Sequence, residues 1–140
     1  MSRAKLEQLW QLLKLELEGY SQLHQMLLQQ GRLLIGQDHQ GLLVHNPRQL
    51  QLSRRLNELG ERREVLSREL SGTHGGAAIE RLCRQLPDKP ARELSRQWQE
   101  LLATAGHCKQ LNDGNGRLLA SQKEWLERHL ELSAPTYAPD

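Results

Sequence analysis

Leu6, Leu13, Tyr20 and Leu27 recur every seven residues through the first part of the chain, with Leu9, Trp10, Leu17 and Leu23 three or four positions on. At the angular step of a helix these side chains gather on one broad face, which predicts an amphipathic helix over about 2–36. Leu15 and Met26 fall outside that face. Such a helix is not stable alone in water and must bury its stripe against partners. Gly31 and Gly36 read as weak points or ends. From 37 to 46 the pattern is open: Asp38 is placed to cap a helical turn over His39 to His45, or the flanking apolar runs form a small hairpin. The turn is favoured, because isolated two-stranded hairpins are marginal.

Asn46-Pro47 reads as an N-cap followed by proline at the first helical position, so a second helix is predicted over 47–71. Its inward stripe is Leu50, Leu52, Leu56, Leu59, Val65, Leu66 and Leu70, with Glu58–Arg62 and Glu64–Arg68 as i,i+4 pairs outside. On this reading Arg54, Arg55, Arg62 and Arg63 form a solvated face rather than a nucleic-acid surface. Ser71 to Gly76 is glycine-rich but lacks the lysine of a phosphate loop, so it is a connecting loop before a short helix over 77–86. After the turn Pro87 to Pro90, a last long helix is predicted over 91–132, with Leu94, Trp98, Leu101, Leu102 and Ala105 inward. Asn112 to Gly116 interrupts it with two glycines and an aspartate, at a propensity cost of about 2 kcal/mol, and the helix is expected to continue through them. The tail 133–140, with Pro135 and Pro139, is expected to be frayed. The fold class is therefore all-α: one domain over 1–140, an elongated antiparallel helical bundle of coiled-coil-like long helices.

Composition supports this class and narrows the function. Leucine fills 30 of the 140 positions against two Ile and two Val, aromatics are 4%, and phenylalanine is absent. That bias disfavours sandwiches, barrels and doubly wound sheets. A net charge of +2 from 19 basic and 17 acidic residues is a poor footprint for nucleic acid. The longest apolar runs are three residues, Leu33 to Ile35 and Leu42 to Val44 among them, far short of the ~20 that span a bilayer, and the opening MSRAKLEQLW lacks the apolar stretch of a leader. Cys83 and Cys108 form no disulfide framework and are expected to be reduced thiols in the cytoplasm.

No nucleophile, metal or cofactor signature is present. There is no G-x-S-x-G, H-E-x-x-H, Walker lysine or C-x-x-C, and His24, His39, His45, His74, His107 and His129 are scattered. An enzyme is therefore not expected, nor a cofactor or metal. The final segment, 118–132, is more informative. Leu118, Leu119, Trp125, Leu126, Leu130 and Leu132 fall within a stripe about 160° wide, with Gln122 and His129 at its centre. That band is either a core face or a surface for a partner's helix.

Three segments carry a resemblance: Glu18-Gly19-Tyr20-Ser21-Gln22-Leu23, Leu59-Gly60-Glu61-Arg62-Arg63, and above all Leu111-Asn112-Asp113-Gly114-Asn115-Gly116-Arg117-Leu118-Leu119. With them the chain resembles, over nearly its full length, the FlgN family of flagellar type III export chaperones. In that family an L-N-x-x-N-G-x-L-L-type segment precedes an amphipathic helix and a tyrosine near the end, here Tyr137. Pro47 and Gly114 depart from the pattern. The resemblance implies a small, all-helical cytoplasmic chaperone that binds the C-terminal regions of hook–filament junction proteins. It would keep these clients unassembled and present them at the flagellar export gate. It also implies that Leu118, Leu119, Gln122, Trp125, Leu126, His129, Leu130 and Leu132 contact the client. The motif residues Leu111, Asn112, Asn115 and Gly116 are assigned first to helix packing and second to client contact. The alternative is a structural coiled-coil adaptor that dimerises through the same amphipathic helices. A further rival uses the arginines of 54–68 on nucleic acid.

Overall fold

The computed structural model describes residues 2–133, and side chains as far as Leu130. Four helices follow one another: α1 (Arg3–Ile35), α2 (His39–Ser71), α3 (Gly75–Gln85) and α4 (Asp88–Ser133). Ser2 opens α1, its hydroxyl accepting from Lys5 N at 3.3 Å. The helix runs without interruption through Gly31 and is closed by Gly36. α1 packs along its length against α2 on one side and α4 on the other, while α3 bridges the lower ends of α2 and α4. The expected tail, with Tyr137, lies outside the described residues.

The second helix starts at His39 rather than at Pro47. Asp38 Oδ1 accepts from Gly41 N at 2.8 Å, so the expected short turn is the first turn of the long helix. Pro47 sits inside α2 and denies the carbonyl of Leu43 its helical donor. Leu43 is 72% exposed, so that carbonyl lies in a part of the helix open to water. At the other end Gly72 takes the left-handed conformation (φ 77°) that ends a helix, and its N–H donates to Arg68 O. Glu64 Oε1 then accepts from Gly75 N at 2.9 Å, placing a carboxylate at the N-terminus of α3, where the helix dipole favours it.

Two apolar clusters fill the bundle. The lower one joins Leu9 and Leu13 of α1, Leu66 of α2, Ile79 and Leu82 of α3, and Leu94, Trp98 and Leu101 of α4. The middle one joins Leu23, Leu27, Leu56, Leu59 and Cys108. Complete burial of a leucine is worth about 1.5–3 kcal/mol, so the lower cluster anchors the fold. Between the two, α1 and α2 approach so closely at Gly19 that a Cβ there would lie 2.5 Å from the Leu56 methyl Cδ2.

The inward stripes differ from expectation at three residues. Leu50 (51%), Val65 (57%) and Leu102 (49%) are exposed, because each helix meets its neighbour along a narrower seam than its leucines would allow. Arg63 does not belong to a solvated face: its Nε donates to Glu16 Oε2 at 2.7 Å, and its guanidinium lies 5.0 Å from the Trp98 ring centroid. Glu16 is 1% exposed. Burial pushes its carboxyl pKa up, and the charge and hydrogen bond of Arg63 draw it part of the way back. This buried pair ties α1, α2 and α4 together. Among the described residues no ion pair joins Glu58 to Arg62 or Glu64 to Arg68; Glu64 is engaged with Gly75 and lies 3.7 Å from Arg63 Nη1.

Candidate functional site

α4 runs parallel to α1 in a fixed register. Cys108 Sγ donates to Tyr20 O (3.4 Å), Asn115 Nδ2 to Leu27 O (2.9 Å) and Gln122 Nε2 to Leu34 O (2.7 Å), each pair 88 residues apart. The residues of α4 that face α1 therefore recur every seven: Leu94, Leu101, Cys108, Asn115 and Gln122, and His129 continues the row past the end of α1. Along this row the chemistry changes from apolar to polar. Burial raises the Cys108 pKa, which keeps the thiol protonated and able to donate.

Asn115 belongs to a network that crosses all three long helices. Its amide also reaches Gln30 Oε1 at 3.2 Å, and Gln49 Nε2 donates to the same oxygen at 3.1 Å. Gln30 Nε2 in turn donates to Asn46 Oδ1, and His45 Nε2 pairs with Gln49 Oε1. Two turns above, Gln122 occupies a carbonyl at the C-terminal end of α1, where helical partners run out. Leu111 is half-buried against the middle cluster. Asn112 is exposed at the edge of a 280 Å3 groove between α2 and α4 whose floor is Tyr20, Leu23 and Leu27. Gly116 is exposed, with open space around it.

The same register pairs Ile35, the last residue of α1, with Lys123. The ten residues 124–133 of α4 therefore continue about 15 Å past the end of α1. Here Trp125 is 61% exposed, Leu126 50% and Leu130 59%. Trp125 stacks on the ring of His129, with centroids 5.0 Å apart and planes 6° from parallel. Leu119, below them, is 54% exposed.

The stripe predicted from sequence is thus divided. Leu118 and Gln122 are half-buried at the bundle, Gln122 with its amide spent on α1. Trp125, Leu126, His129 and Leu130 lie on the free end, and the Leu132 side chain falls outside what the structure describes. Periodicity did not single out Ile35 (73% exposed), Leu43 (72%) and Val44 (58%), which cap the α1–α2 hairpin at the same end of the bundle. Their signal was the apolar run Leu42 to Val44 beside the hairpin turn. Among the described residues no three His, Cys, Asp or Glu side chains gather as a metal site, and no helix is long and apolar enough to cross a membrane.

The three segments singled out by resemblance all sit at helix contacts: Gly19 against Leu56, Gly60 and Arg63 around Glu16, and Asn115 on Leu27. A comparison with protein families matches residues 1–136 to the model of FlgN protein, nearly the whole chain. No curated protein and no solved structure matches.

Proposed function

The chain belongs to the FlgN family, and from that premise we propose that it is a flagellar export chaperone acting in the cytoplasm. In this reading it binds the C-terminal regions of hook–filament junction proteins, prevents their premature assembly and aids their delivery to the export gate. The observation that carries the reading is the free end of α4, where Trp125, Leu126 and Leu130 are exposed beyond the last residue of α1.

Lower in the bundle α1 covers the inner row of α4; above Ile35 no helix among the described residues takes that place. An amphipathic helix of the client fits there in the way α1 does, laying apolar side chains on Trp125, Leu126 and Leu130. Covering the client's assembly segment needs no bond chemistry and no nucleotide. Trp125 is the central anchor, since large aromatics in the middle of an interface carry a disproportionate share of its energy.

The test is a calorimetric titration of a junction protein's C-terminal fragment into the full chain and into a chain ending at Lys123. That truncation keeps the Asn115 and Gln122 contacts, so the bundle stays folded while the free end is lost. Binding by the full chain alone is expected, and Trp125→Ala with Leu126→Ala should weaken it by about 2–4 kcal/mol. Absence of heat from the full chain at any temperature or salt overturns the reading. A stable dimer abolished by the same double substitution favours the coiled-coil adaptor instead.

A further inference from the structure

Above the apolar base, three consecutive members of one heptad row on α4 each donate to a main-chain carbonyl of α1. Cys108 Sγ takes Tyr20 O at 3.4 Å, Asn115 Nδ2 takes Leu27 O at 2.9 Å and Gln122 Nε2 takes Leu34 O at 2.7 Å. Donors and acceptors both advance by seven residues, so the pattern is a ladder built on the register of two parallel helices. Tyr20 O and Leu27 O lie within α1 and already serve its own hydrogen bonds. A carbonyl oxygen has two lone pairs, and the ladder uses the second.

His129 is the next member of the row, seven residues after Gln122. It lies about 9 Å beyond Lys123, the residue level with Ile35 at the end of α1. The imidazole carries a ring N–H whether neutral or charged. Its Nε2 stands about as far out along the side chain as the amide nitrogen of a glutamine. Trp125 stacks on the ring at 5.0 Å and holds its plane. Trp125 and Leu126, four and three residues earlier, stand on opposite sides of the row. His129 is thus a donor flanked by two exposed apolar side chains, on the line where α1 would run if it continued.

We propose that His129 is the fourth donor of this ladder, and that its acceptor is a main-chain carbonyl of a client helix lying in line with α1. This role rests on the client reading above and supplies its means of recognition. The occupant follows from continuity with the α1–α4 seam: an amphipathic helix that lays apolar side chains on Trp125 and Leu126 and turns one carbonyl to His129. Every helix offers such carbonyls, so His129 sets the depth and register of the client without reading its side chains. Choice among clients is left to the apolar contacts on either side.

The test is a calorimetric titration of a junction protein's C-terminal fragment into the full chain and into two variants. His129→Phe keeps a ring against Trp125 and removes the donor; His129→Gln supplies the amide that Gln122 uses one step below. His129→Phe should raise Kd about three- to tenfold, and His129→Gln should stay within about twofold of wild type. In the bound wild type a His129 ring N–H protected from exchange should appear by nuclear magnetic resonance, in a signal missing from His129→Gln. Circular dichroism checks that both variants stay folded. No heat from the wild type overturns the client reading itself. Binding by the wild type with His129→Phe undiminished, with His129→Gln weakened as far as His129→Phe, or with the ring N–H unprotected overturns the donor role alone. A wild-type dimer in sedimentation that His129→Phe dissociates and His129→Gln restores gives the acceptor to a second copy and overturns the client helix as its source.

Discussion

The lower and upper halves of the α1–α4 seam share one register and hold it by different means. Below, the row of α4 residues facing α1 is Leu94 and Leu101, buried with Leu9, Leu13 and Leu82. Above, the row becomes Asn115 and Gln122, each spending an amide on an α1 carbonyl. Apolar burial is strong but indifferent to small slips along the helix. A buried hydrogen bond adds only about 0.5–1.5 kcal/mol yet is lost when the register moves. The difference shows a bundle stabilised at its base and aligned at its top, just before α4 leaves it.

The largest effect should come from the base. Arg63→Met leaves the Glu16 carboxylate buried without its partner and is expected to cost about 3–5 kcal/mol in denaturant unfolding. Leu82→Ala, at a fully buried position that joins α3 to both long partners, should cost about 2–5 kcal/mol. A loss under about 1 kcal/mol in both would erase the contrast between the halves. At the top, Asn115→Ala should cost about 1–2 kcal/mol. Amide exchange should quicken in α4 above residue 111 more than at Leu94 to Leu101. Uniform acceleration would mean that the amide network does not act locally.

On the free end, Trp125→Ala with Leu126→Ala should change unfolding stability by no more than about 0.5 kcal/mol per site, because both side chains are at least half exposed beyond the end of α1. A larger loss would return these residues to the core. The subtlest effect is that of pH. Burial outweighs Arg63 at Glu16 and raises its folded pKa above 4.5, so the native state holds this proton more tightly than the unfolded chain. That contribution is complete below about pH 4.5 and fades as pH climbs through the raised value. The stability of the wild type relative to Glu16→Gln should therefore fall as pH rises from below 4.5. A relative stability that rises instead would show that pairing with Arg63 outweighs burial.

Much of this was legible along the chain. The seven-residue recurrence in α1 and the inner positions Leu94, Trp98 and Leu101 located helices, and the Leu111 to Leu119 segment pointed to the family that the match over 1–136 supports. The start of α2 was misplaced because proline at the first helical position is a strong local preference. Here the Asp38 cap and packing on α1 carry the helix through Pro47 instead. Glu16 was invisible because a glutamate among leucines reads as an exposed position until its partner, 47 residues away, is brought onto it. Gln122 was read as a polar residue within an apolar stripe and as a client contact, not as a partner of α1, since nothing local says where α1 stops.

The sequence by itself determined which segments are helical and which face of each is apolar, because both follow from side chains a few residues apart. Tertiary structure decided which apolar residues are covered. Val65 and Trp125 look like Leu66 and Trp98 in periodicity, and they differ only in whether another helix lies alongside. The end of α1 at Ile35, set against an α4 that runs on to Ser133, turns one amphipathic stripe into a packed part and a free part. That division is a property of two helices of unequal length held in one register, and no single helix encodes it.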